Sequence, residues 1–329
     1  MKPIKETKEI ILTVSLLILL SFNNTSNIPV IKDTSAQQRP AIYGDYIVWF
    51  EEQGREYEYR PDIFIFGPYI YVYDLSTREK FLIAEVAYSV KILIYGDIIV
   101  WDDSRNGPWN SDIYGYNLST QEKFQITTDP EDQRSPAIYE NTVVWSDERN
   151  GNSDIYGYNL STREEFQITT DPKDQHSPAI YGDIVVWTDE RKGWYETDIY
   201  GYNLSTQEEF QITTDSKKQE DPAIYGDIVV WQDFRNLNWD IYGFNLNTKE
   251  ESQITADWSL QQDPAIFENI VIWVDCSHFS SMQQCFQFKK YAPINTKNTE
   301  EKEPSGFDTD SSNKAVNSIK GITLNMCIS

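Results

Sequence analysis

Short apolar runs that end in tryptophan recur along the chain, at Tyr46 to Trp49, Ile98 to Trp101, Thr142 to Trp145, Ile184 to Trp187, Ile228 to Trp231 and Ile270 to Trp273. The six tryptophans stand 52, 44, 42, 44 and 42 residues apart, and the text between them repeats with them. The fullest copy, Ser177 to Asp215, divides into four short runs. Pro178 to Tyr181 and Ile184 to Thr188 are apolar and β-branched, with Gly182 and Asp183 placed for a tight turn. A charged segment, Asp189 to Gly193, leads to Asp198 to Tyr202, and the turn residues Asn203 to Thr206 precede Glu208 to Thr213. No stretch of the copy has a 3.6-residue period. Four antiparallel strands in about 42 residues predict one blade of a β-propeller.

The ends of the chain carry the pieces that close a ring. Ile28 to Asp33 resembles the fourth-strand text Phe166 to Asp171, so the array opens on an unpaired fourth strand. Asp263 to Asp275 supplies two strands of a sixth unit, and Phe286 to Ile294 reads as a worn third strand. The expectation is an all-β, six-bladed β-propeller of four-stranded antiparallel blades, its sixth blade closed by the N-terminal strand and degenerate C-terminal strands. Joining both ends in one blade leaves no open sheet edge, which is the physical reason to close the ring this way.

Within each copy one order of residues is kept: Trp145, Asp147, Arg149, Gly151, then Asp154-Ile155-Tyr156, with parallels at Trp101-Asp103-Arg105 and Trp231-Asp233-Arg235. This text resembles the repeats of the TolB-like six-bladed propellers, especially the repetitive cell-surface proteins of archaea and some bacteria, over roughly Ile28 to Asp275. The resemblance implies a six-bladed fold with a binding or scaffolding role and no chemistry.

Charge and the chain ends bear on location. With 52 acidic and 28 basic side chains the formal charge is -24, a balance that repels phosphates and argues against a nucleic-acid partner. Lys2, Lys5 and Lys8 precede an uncharged stretch from Ile10 to Phe22, short for a span of about 20 residues. Residues 1–26 are therefore expected to be an export signal or signal anchor, 27–294 the propeller, and 295–329 a polar, disordered tail. The expected location is extracellular or cell-surface, with membrane contact only through the N-terminal segment if it is uncleaved, and the expected state is monomeric. Cys276 and Cys285 bracket the degenerate sixth unit and could form a disulfide in an oxidising compartment, leaving Cys327 in the tail; three unpaired thiols are the alternative.

A meander places the loops after strands two and four on one face, and the turns after strands one and three on the other. The first face gathers Asp103 with Arg105, Asp147 with Arg149, Asp189 with Arg191 and Asp233 with Arg235, together with acidic crossings such as Asp129 to Gln133. Carboxylates around a funnel could hold calcium or engage a basic partner. The alternative, favoured because the same residues recur in every intact blade, is that each Asp fixes its own turn and pairs with the nearby Arg, while Asp112, Asp154, Asp198 and Asp240 bond turn backbone at the start of strand three. Trp109, Trp194 and Trp239 lie in or beside the loops after strand two and are the candidates for exposed contact. Tyr114 and Tyr116, Tyr156 and Tyr158, and Tyr200 and Tyr202 alternate along strand three, which suits packing between blades or, alternatively, stacking on sugars.

The opposite face carries Asn117, Asn159 and Asn203, each in an Asn-Leu-Ser acceptor sequence that suits either a glycan or simply a turn. Catalysis finds little support: the chain has two histidines, His176 and His278, and no G-x-S-x-G text. The expected function is a noncatalytic exported propeller that binds a protein or polysaccharide at the cell envelope, with no cofactor beyond a possible calcium ion. An extracellular lyase or glycoside hydrolase using acidic loops, and a structural surface-coat element, are the alternatives.

Overall fold

The computed structural model describes residues 36–52, 69–87, 91–107, 109–275, 285–290 and 326–327. Every regular element among them is a β-strand, and the strands form six four-stranded antiparallel sheets, each hydrogen-bonded in chain order. The expected closing strand Ile28 to Asp33, the export segment 1–26, Cys276 and His278 lie outside the described residues. So does most of 295–329. In the sixth sheet, Gln261–Phe267, Ile270–Asp275 and Cys285–Lys290 are followed by Met326–Cys327, whose backbone pairs with Cys285 and Phe286. The fourth position of that sheet is thus filled from the C-terminal segment.

The fourth blade shows why the repeat folds as it does. Its strands are Gln175–Tyr181, Ile184–Asp189, Asp198–Asn203 and Glu208–Gln211. Its second strand is buried on both sides from Val185 to Asp189, because each sheet is covered by a neighbour on both faces. Trp187 and Tyr200 pack against Val144, Ile155 and Ile168 of the third blade. Equivalent cores join the first and second blades, the second and third, the fourth and fifth, and the fifth and sixth. Trp101, Trp145, Trp187 and Trp231 are fully buried in them, and replacing one by alanine would cost about 3–5 kcal/mol.

Two local devices recur among the blades. The inner strand begins earlier than its apolar text, with a bulge before the proline: register shifts at Arg39, Ser135, Ser177, Asp221 and Asp263, which take φ of 48°, 56°, 54°, 52° and 50°. The second blade has Lys91 and Ile92 there, with no proline and no register shift. On the third strand, Gly157 leaves room for the Phe166 ring, which comes within 2.5 Å of where a Cβ would stand, and Gly201 does the same for Phe210 at 2.6 Å.

Candidate binding faces and the axial channel

Backbone bonds confirm the two faces. Glu190 N donates to Asp174 O and Gln219 N to Thr197 O, tying the loop after the fourth blade's second strand to the crossings on either side. Leu204 N donates to Asp183 O, tying together the turns after strands one and three.

On the first face the Asp-Arg pairs turn inward on their own blades. Asp147 and Asp189 are buried and accept from the indole N–H of Trp145 (2.8 Å) and Trp187 (3.0 Å) two residues earlier. Asp189 also accepts from Arg191 through its backbone N, Nε and Nη2, at 2.9, 2.8 and 2.8 Å. Arg191 Nη1 reaches Glu209 on strand four at 2.9 Å, and its guanidinium lies 3.7 Å from the Tyr200 ring centroid. Arg149 and Arg235 repeat this with Glu165 and Glu251, and Arg105 pairs with Asp103 over Tyr114. Donating to the carboxylate of Asp147 or Asp189 holds the guanidinium of Arg149 or Arg191 still more firmly protonated. In the first blade, Glu51 and Lys80 stand in: Trp49 Nε1 and Lys80 Nζ both donate to Glu51 Oε2. These charges are spent within the blades.

The aspartates that open strand three have a different role from the one expected. Asp154 accepts from the side chains of Asn150, Gln167 and Thr169 rather than from turn backbone. Burial pushes the carboxyls of Asp112, Asp154, Asp198 and Asp240 above the ordinary range. Turn backbone is bonded instead by the aspartates of the Asp-Arg pairs. Among the described residues, no group of three or more His, Cys, Asp or Glu side chains is arranged to hold a metal ion.

What the first face leaves exposed is aromatic. Trp109 is 78% exposed and Trp194 58%, whereas Trp239 is partly covered by Phe234, with ring centroids 5.1 Å apart. Two exposed aromatic residues were not anticipated from the repeat: Tyr195, 66% exposed and tilted against Trp194 with centroids 3.4 Å apart, and Trp258, 84% exposed in the crossing after the fifth blade. Leu237 lies near Trp258, because Asn238 Nδ2 donates to the carbonyls of Asp257 and Ser259. Lys218 Nζ sits 5.7 Å from the Trp194 ring.

On the opposite face Asn117, Asn159 and Asn203 use Oδ1 to accept from the backbone N–H groups two and three residues further on, as Asn245 does. The side chain of each therefore shapes its own turn. On the axis, Lys91 of the second blade reaches across to the fourth, where its Nζ lies 3.5 Å from Pro178 O. Lys91 is half-buried as a residue, and desolvation of its ammonium by the surrounding protein lowers its pKa against the opposing pull of Asp221 and Asp102. His176 has Nδ1 3.3 Å from Ser177 Oγ and Nε2 3.4 Å from Glu190. Ser177 and Glu190 occupy repeat positions, matched by Ser135 and Glu148 in the third blade.

No family model matches the chain, and no curated protein sequence does. Solved structures match in fold. The β-propeller domain of the Trilobed protease from Pyrococcus furiosus aligns with a TM-score of 0.61 at 13% identity, over 78% of this chain and 81% of that one. TolB from Acinetobacter baumannii aligns with a TM-score of 0.54 at 17% identity, over 68% of this chain and 57% of that one. The putative TolB from Agrobacterium tumefaciens gives 0.53 at 14% identity, over 68% and 84%. The chain thus spans little more than half of the A. baumannii protein. At these identities the likeness is one of fold: this is a TolB-like β-propeller in architecture. A protease domain among the neighbours means that the fold by itself does not decide catalysis.

Proposed function

We propose that this protein is a noncatalytic, exported propeller that binds a polysaccharide at the cell envelope through the aromatic loops of its first face. The observation that carries the reading is the exposure of Trp109, Trp194, Tyr195 and Trp258 in a protein whose strand tryptophans are buried. Flat aromatic side chains that are already ordered and half-solvated lose little entropy on binding and stack well on sugar rings. The neighbouring acids and amides supply hydrogen bonds for hydroxyls. Export rests on the basic start and apolar run of residues 2–22.

The test is binding of the full chain to a glycan array, beside the same chain carrying Trp194→Ala and Trp258→Ala. Saturable binding to a glycan class, weakened about tenfold or more in the variant, supports the reading. A blank array together with capture of a specific envelope protein would move the ligand class to protein. A blank result in both would leave the fold as spacing material.

A further inference from the structure

The face opposite the aromatic loops carries an arrangement that the repeat disguises. The inner strands end in Tyr43, Tyr95, Tyr139, Tyr181, Tyr225 and Phe267, one per blade. Successive ring centroids are 4.7, 4.9, 4.7, 4.7 and 5.0 Å apart, and successive ring planes turn by 45°, 51°, 50°, 46° and 57°. The rings therefore follow one another as a belt at the mouth of the channel, in contact from Tyr43 through to Phe267.

Each belt residue is followed by a turn with one carboxylate: Asp45, Asp97, Glu140, Asp183, Asp227 and Glu268, all exposed. Asp97, Asp183 and Asp227 accept from the neutral side chains of Ser119, Ser205 and Asn247, which leaves their charge in place. Among the described residues none of the six forms an ion pair with Lys or Arg. The basic residues of this face, Arg78, Arg163 and Lys249, lie in the turns after strand three, farther from the axis. Inward, Lys91 crosses the channel to Pro178, three residues from Tyr181 along its strand, so the passage is stopped about 10 Å below the belt.

We propose that this cup binds an alkylammonium cation, the group carried by polyamines and by lysine side chains. Aromatic rings attract such cations through their quadrupoles, and a row of like charge at the mouth concentrates them. The Lys91 ammonium at the floor repels a second cation, so one group binds per propeller. The site lies on the face away from the aromatic loops, so it stands or falls independently of polysaccharide binding.

The experiment is titration calorimetry of the full chain with spermidine, with Nα-acetyl-lysine methylamide and with calcium chloride. Variants are Glu140→Gln with Glu268→Gln, both in exposed turns, and Tyr139→Leu with Tyr181→Leu, with folding checked by melting. Saturable 1:1 amine binding is expected, weakened several-fold by the glutamine pair in a salt-sensitive way and about tenfold by the leucine pair. A bound cation should also move the ultraviolet titration of the belt tyrosines to lower pH. Binding of both amines points to lysine side chains as a source, and binding of spermidine alone to free polyamines; either supports the site. Absence of saturable amine binding, calcium binding without amine binding, or amine binding unchanged in the folded glutamine variant would overturn it.

Discussion

Asp189→Ala measures how much the fourth blade depends on its Trp-Asp-Arg unit. The buried carboxylate accepts from Trp187 Nε1 at 3.0 Å and from Arg191 at three nitrogens between 2.8 and 2.9 Å. Truncation leaves the fully buried indole N–H without a partner, at about 1–3 kcal/mol, and removes a backbone bond worth about 1 kcal/mol. Arg191 is 24% exposed at its side chain and keeps Glu209, so its lost ion pair is discounted to about 1 kcal/mol. Release of the carboxylate from its desolvated position offsets part of this. The net expectation is about 3 kcal/mol, or a melting temperature lower by about 6–12 °C for a propeller of this size. Arg191→Ala strands the carboxylate, so the double variant should be more stable than the sum of the two losses implies, by about 2 kcal/mol. Urea unfolding of the four proteins gives both numbers. A loss below about 0.5 kcal/mol for Asp189→Ala, or strict additivity, would refute the argument.

Gly157→Ala places a methyl group where the Phe166 ring already stands and should cost about 1–3 kcal/mol, with recovery on adding Phe166→Leu; equal melting of wild type and variant would contradict this contact. The buried Asp154 carboxyl is raised in the folded state, so the stability from its protonation is present at low pH and lost as pH rises through that raised value. Asp154→Asn lacks that gain, so the advantage of wild type over the variant should widen as pH falls from about 7 to about 4.5, and narrowing would show the opposite shift.

The tryptophan period was enough to place the sheets, because an apolar run buried on both faces leaves the same text in every blade. The bulges before Pro40, Pro136, Pro178, Pro222 and Pro264 were not legible, since a positive φ at Arg39 or Asp221 has no residue signature as glycine has. On the first face the favoured reading, each Asp fixing its own turn and pairing with the nearby Arg, is what Asp147 and Arg149 do. Sequence shows Asp147 and Arg149 close together but not that the indole of Trp145 and the guanidinium together consume the carboxylate. Conversely, Asp45, Asp97, Glu140, Asp183, Asp227 and Glu268 looked like turn residues, and only the ring of inner strands brings them to one mouth. Trp258 and Tyr195 break the repeat at single positions, a signal that comparison of the copies residue by residue can find.

The central claim is that stability and recognition reside in different residues of the same face. Its most direct measurement compares Asp189→Ala with the Trp194→Ala and Trp258→Ala variant for affinity toward the bound glycan and for melting, with affinity read well below both transitions. The account predicts a lower melting temperature with retained affinity for the first, and lost affinity with unchanged melting for the second. If the tryptophan variant binds as wild type does, or if both properties fall together in both variants, the claim is wrong.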